Sequence, residues 1–159
     1  MATALNVISL QEAKDLLKVD FADDDAFITS LIHTAVALVE QRTNHYLYQR
    51  AITVDARHSH EVYAYPFEIV SVTDKDLTAL TYTAHPYSLM TRICLSGYYG
   101  HYLLRLNVGY AEKADIPAPL LTAVERLMTY LYMHRDIQKA EMPSDVQLML
   151  QPYRRYASI

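Results

Sequence analysis

The stretch from Leu106 to Asp136 limits what this chain can fold into more than any other. It runs LNVGY, then AEKADIPAP, then LLTAVERLMTYLYMHRD: a short strand, a turn, two prolines and the longest unbroken helical pattern in the sequence. Leu120, Leu121, Val124, Leu127, Met128 and Leu131 recur at three- and four-residue intervals, so they share one stripe of a helix, and that stripe has to be buried. Pro117 and Pro119 suit a first helical turn, where a missing N–H costs nothing, which predicts a helix over about 118–136. Each large aliphatic side chain fully buried on that face is worth roughly 1.5 to 3 kcal/mol, enough for one helix to anchor a modest core.

The rest of the chain supplies partners for it. Ser9 and Glu12 form an S-x-x-E capping box in front of a first helix over about 10–18. Asp23, Asp24 and Asp25 precede AFITSLIHTAVALVEQRT, a second helix over about 24–44, where the carboxylates are expected to cap free N–H groups. Between about 46 and 110 the pattern becomes β-branched and aromatic, in short runs broken by Pro66, His85-Pro86, Gly97 and Gly100. Ser144 and Gln147, spaced as a second capping box, open a last helix over about 144–151, and 152–159 form a C-terminal arm. The fold class expected is therefore α+β: a helical bundle of about four helices with a small antiparallel β-sheet inserted between the second and third, all in one domain over 1–159.

Composition narrows the function classes. A net charge of −4 gives no general attraction to phosphate. One cysteine, Cys94, can form no internal disulfide and has no second thiol for a metal. The N-terminus lacks the pattern of a secretory signal, and no apolar run is long enough to span a membrane. Tyrosine is abundant, 14 against 3 phenylalanines and no tryptophan; such side chains serve the rim of a small core or a contact between subunits equally well.

No catalytic set stands out. His58 and His60 share one face of an extended strand, with Asp55 or Glu61 in reach as an oxygen ligand, the basis for an alternative reading as a small metal-dependent hydrolase. Two imidazoles without an evident third ligand fit a solvated pair better. Phosphate-binding loops and nucleophile elbows are absent from the sequence, and Arg154-Arg155 is an isolated basic pair, too little for a freestanding DNA-binding module. The expectation is a protein that is not an enzyme and has neither metal nor cofactor.

Four segments then fall into a familiar order: SLQEAKDLLKVD at the start, VGY followed by IP at the strand-to-helix join, YMHRD closing the long helix, and PYRRY near the end. This order resembles the head-to-tail connector proteins of tailed bacteriophages, the adaptor and head-completion family next to the portal. The resemblance implies a structural virion protein: a homo-oligomeric, dodecameric ring between the portal protein and the stopper or tail-completion protein. Such a ring would extend a channel through which viral DNA passes without sequence-specific binding. It would sit at the head-to-tail junction of the virion, after assembly in the host cytoplasm, with no membrane partner. The arm residues Tyr153, Arg154, Arg155 and Tyr156 would bind that partner, since Tyr and Arg are the types that most often anchor interfaces. Removing 151–159 is then expected to spare the fold and weaken portal binding.

Overall fold

A computed structural model describes residues 3–57, 59–135 and 142–155. Four helices share one core: α1 (Leu10–Leu17), α2 (Asp25–Thr43), α3 (Ala118–Met133) and α4 (Ser144–Leu150). Six strands lie between α2 and α3: β1 (Arg50–Arg57), β2 (Ser59–Val62), β3 (Phe67–Thr73), β4 (Tyr82–Pro86), β5 (Thr91–Leu95) and β6 (His101–Val108). The mixed α+β architecture expected from the sequence is what the chain adopts.

The helices form where the apolar spacing says. Leu120, Val124, Leu127 and Met128 of α3 are buried against Ile28, Ile32, Ala35 and Val39 of α2, while Leu121 and Leu131 pack at the edge of the same core. Val146 and Leu150 close it from α4, and Ala13 from α1. Pro117 stands at the N-cap of α3 and Pro119 within its first turn. The helix ends at Met133 rather than Asp136, because the chain turns there and carries Arg135 onto the start of α2.

The capping box of α1 forms: Glu12 N–H donates to Ser9 Oγ at 3.2 Å, and Ser9 N–H to Glu12 Oε2 at 2.8 Å. Lys113, 2.7 Å away, and the Ser9 N–H hold the Glu12 carboxyl down at about 2. Its contribution is therefore present above pH 4.5, the ordinary value, and is lost as pH falls from there toward about 2. Ser9→Ala is expected to cost about 1 kcal/mol, read as a lower urea midpoint at neutral pH. An unchanged midpoint would show the box to be idle.

Two capping expectations are corrected. Asp24, at the N-cap of α2, has right-handed helical backbone, and its side chain caps nothing. Its Oδ2 accepts instead from Tyr132 Oη at 2.7 Å and Arg135 Nη2 at 2.6 Å, and Asp25 takes Lys14 Nζ at 2.6 Å. Charge-assisted bonds to distant cations win over local amides because they are stronger and the backbone angle turns the carboxylate away. Arg135 also lies over the rings of Tyr132 and Phe27, at 4.3 and 4.8 Å. At α4 the N-cap is Pro143, and Gln147 Nε2 reaches the Met142 carbonyl at 2.7 Å, so Ser144 and Gln147 make no box.

The β segment makes two three-stranded antiparallel sheets rather than one, in orders β1-β6-β3 and β2-β5-β4. Arg57 pairs with His101 but Ser59 with Cys94, and residues 96–100 lie between β5 and β6 outside both ladders. The run Glu61–Thr73 is broken at Tyr65-Pro66, as the proline predicts, and its two halves become β2 and β3 of different sheets. His85 and Pro86, expected in a turn, end β4, where an edge strand tolerates a missing donor. A second core, under the sheets, holds Ala56, Val62, Val72, Ile93, Tyr102, Leu104, Leu106 and Val108.

Candidate functional site

The end of α2, the loop before β3, the end of β6 and the C-terminal arm meet at one place. Asn44 terminates α2 in the left-handed region, φ 57°, which asparagine tolerates. The turn offers the arm one backbone group and one side chain: Arg155 N–H donates to the Thr43 carbonyl at 3.1 Å, and Asn44 Nδ2 donates to the Arg155 carbonyl at 2.7 Å. The loop before β3 is stitched to the same turn, with Tyr46 N–H to Tyr65 O at 2.7 Å and Tyr65 N–H to Asn44 O at 2.9 Å.

Around these bonds three tyrosine rings converge on His45. Its centroid lies 5.0 Å from Tyr65, 5.7 Å from Tyr153 and 6.4 Å from Tyr110. Tyr153 meets it edge-on, and Nδ1 lies 3.1 Å from the Tyr110 hydroxyl. The Arg155 guanidinium sits over the exposed Tyr65 ring at 4.6 Å, a cation–π contact of the kind worth about 0.5 to 1 kcal/mol. His45 is 6% exposed. Burial, with the Arg155 charge beside it, pulls its imidazole down to about 4, and burial among tyrosines pushes the Tyr110 hydroxyl up to about 12.

The seat is thus built around a neutral histidine. In the unfolded chain His45 would bind its proton below 6.5, whereas in the fold it does so only near 4, so its contribution is complete above pH 6.5 and is lost as pH falls toward 4. Between those values the unfolding free energy should decline by on the order of 2 kcal/mol, read as a falling urea midpoint, and His45→Gln should flatten that part of the profile. An unaltered slope in the variant would show that His45 is not the group responsible.

Of the four arm residues singled out in the sequence, Tyr153 and Arg155 belong to this seat on their own subunit, and Arg154 lies exposed between them. Tyr156 lies outside the described residues, as does His58 of the proposed metal pair. His60 is half-buried and, by burial, less basic than usual. The carboxylates that might have joined it are engaged elsewhere: Glu61 accepts from Tyr63 Oη at 2.7 Å and Arg92 Nη2 at 2.6 Å, and Asp55 faces His101 Nδ1 at 3.1 Å. Among the described residues no group of three His, Cys, Asp or Glu is placed to hold a metal.

Sequence reasoning missed Thr43, Asn44, His45 and Tyr65 as parts of the site. An asparagine directly after a helical pattern is a recognised terminator, so Asn44 carried a signal. The others carried none, because they become neighbours only when α2, β3 and the arm converge.

Residues 7–76 match the family described as phage gp6-like head-tail connector protein. No curated protein matches the chain. Among solved structures it is similar to a chain in the neck of an empty gene transfer agent particle computed with C6 symmetry: TM-score 0.78 and 20% identity, over 100% of this chain and 95% of that one. A chain from the neck of the native particle, computed with C12 symmetry, gives a TM-score of 0.77 at 18% identity with the same coverage. One from the virion of native gene transfer agent gives 0.75 at 21%, again with the same coverage. The resemblance to head-to-tail connectors read from the four sequence segments is borne out by these matches.

Proposed function

We propose that this chain is a structural connector of a tailed-phage particle: a ring subunit at the head-to-tail junction, between the portal protein and the stopper or tail, around the channel through which DNA passes. The observation that carries the reading is the likeness to neck chains over the whole length of this one, joined to the family match over residues 7–76. Neck structures computed with C6 and C12 symmetry support a closed ring, dodecameric in the second case, in which one surface of each subunit meets a different surface of the next. A net charge of −4 suits a wall past which DNA slides, since a strongly basic lining would hold phosphates.

The seat of the arm refines which residues do the docking. Tyr153 and Arg155 fasten the tail to Thr43, Asn44 and Tyr65, and Leu150, just before the arm, is fully buried. Removal from residue 151 onward would therefore strip internal contacts along with any portal contacts. Ending the chain after Arg155 keeps the fastening and removes only Tyr156 and the three residues beyond it. Such a chain is expected to melt within about 0.5 kcal/mol of the full protein and to co-sediment with portal at least about tenfold more weakly. Portal binding equal to that of the full chain would end the docking role of Tyr156 and the residues after it.

A further inference from the structure

The structure also points to a contact surface between copies of this chain: the hairpin of β4 and β5, with an acidic face of the neighbouring copy as its occupant. This deepens the ring reading and rests on it.

All five residues of β4 are exposed, so neither face of the strand is covered by its own subunit, although Ile93 in the adjoining strand is fully buried. Two bonds fix the parity of the ladder: Tyr87 N–H to Met90 O at 2.8 Å and Ser96 N–H to Thr81 O at 3.2 Å. With the register Thr83↔Cys94 and His85↔Arg92, residues 81, 83, 85 and 87 turn their backbone groups toward β5. Tyr82 and Ala84 therefore present theirs outward, and Pro86 falls where no donor is required. Tyr82, Tyr87 and Leu89 add exposed apolar surface to the same hairpin, at 36%, 54% and 42%.

Natural sheets guard open edges with charges or bulges. Here β1 carries Arg50, Asp55 and Arg57, β2 carries Glu61, and β3 carries Glu68 with a register break between Ile69 and Ser71. β4, Tyr-Thr-Ala-His-Pro, has no Lys, Arg, Asp or Glu, and Pro86 closes only one end of its open row. An edge left in this state suits a permanent neighbour.

Charge selects the neighbour. Residues 77–111 contain no Asp or Glu and two arginines, so this segment carries +2 while the remainder of the chain carries −6. Another copy of this acidic chain meets little like-charge repulsion at such a patch. Nucleic acid fits it less well: the hairpin's single arginine, Arg92, is tied to Glu61 at 2.6 Å and lies 5.8 Å from the Tyr87 centroid, leaving too little positive charge to track a phosphate backbone.

Position 84 tests this, because its side chain is exposed and its backbone groups do not serve the β4–β5 pairing. Sedimentation of the purified full chain over a concentration series should show self-association. Ala84→Glu should weaken it at least about tenfold, Ala84→Lys should leave it equal or tighter, and both should melt like the parent. A parent that stays monomeric throughout, Ala84→Glu associating like the parent, or equal weakening by Glu and Lys would each overturn the inference. Salt-sensitive binding of a duplex DNA probe that Ala84→Glu abolishes would overturn it in favour of nucleic acid. Co-sedimentation with portal separates the two readings: Ala84→Glu that loses self-association in a parent unable to bind portal sinks the connector reading alone.

Discussion

Gly109→Ala is expected to lower the unfolding free energy by about 3 to 5 kcal/mol, a large share of the roughly 5 to 15 kcal/mol available to a domain of this size. Two costs combine at this position. Its φ of 100° lies in the region that L side chains rarely adopt, and an added Cβ would fall on the backbone carbonyl of Tyr48. Neither neighbour can yield cheaply. The Tyr48 segment is pinned, since Glu40 Oε1 accepts from Leu47 N–H at 2.7 Å while Glu40 Oε2 accepts from Arg50 Nη2 at 2.7 Å, with the guanidinium 4.5 Å from the Tyr48 centroid. Gly109 itself is held by its N–H, which donates to the Pro66 carbonyl at 2.9 Å. Gly97 supplies the control: its φ is 71°, but a Cβ there would meet nothing within 4 Å, so Gly97→Ala should cost only about 1 to 2 kcal/mol. Equal losses for the two variants in chemical denaturation would show that backbone conformation, not the close approach, accounts for Gly109.

Leu127→Ala should cost about 2 to 5 kcal/mol. The side chain is 1% exposed in the middle of α3, within the core shared by α2 and α3, and truncation removes both its transfer free energy and its packing contacts. Because the α2 and α3 backbones are held by their own hydrogen-bond ladders and by the Asp24–Arg135 pair, 2.6 Å at the far end of the bundle, the walls can close on the void only in part. Leu131, on the same stripe but half-buried, should lose less when changed to Ala, and Met128→Leu, which keeps the volume, less than about 1.5 kcal/mol. Urea midpoints at constant m would rank the three. A Leu131 variant as damaging as the Leu127 variant would mean that the stripe is buried further toward its end than the fold places it.

The four segments that carry the resemblance to connectors each have a physical task in this chain. Ser9, Glu12 and Lys14 cap α1 and tie it to Asp25; Gly109 permits the close crossing at Tyr48; Tyr132 and Arg135 lock α3 to Asp24; Tyr153 and Arg155 seat the arm. Each of these tasks is a bonding or packing role. They are braces that let a small fold keep its shape.

What the sequence determined by itself was everything governed by near neighbours. The stripe from Leu120 to Leu131 made α3, Ser9 with Glu12 made the start of α1, and the β-branched and aromatic runs from 46 to 110 announced strands, because helical and strand periods are written within a few residues of one another. Only the tertiary structure decided that the strands divide into two sheets, with β1 and β6 in one and β2 and β5 in the other, that Asp24 serves Arg135 rather than its own helix, and that Thr43, Asn44, His45, Tyr65 and Arg155 form one seat. Those outcomes depend on which distant groups offer a stronger bond or a drier contact. Such a competition is settled between segments many residues apart in the sequence, and no local pattern records its result.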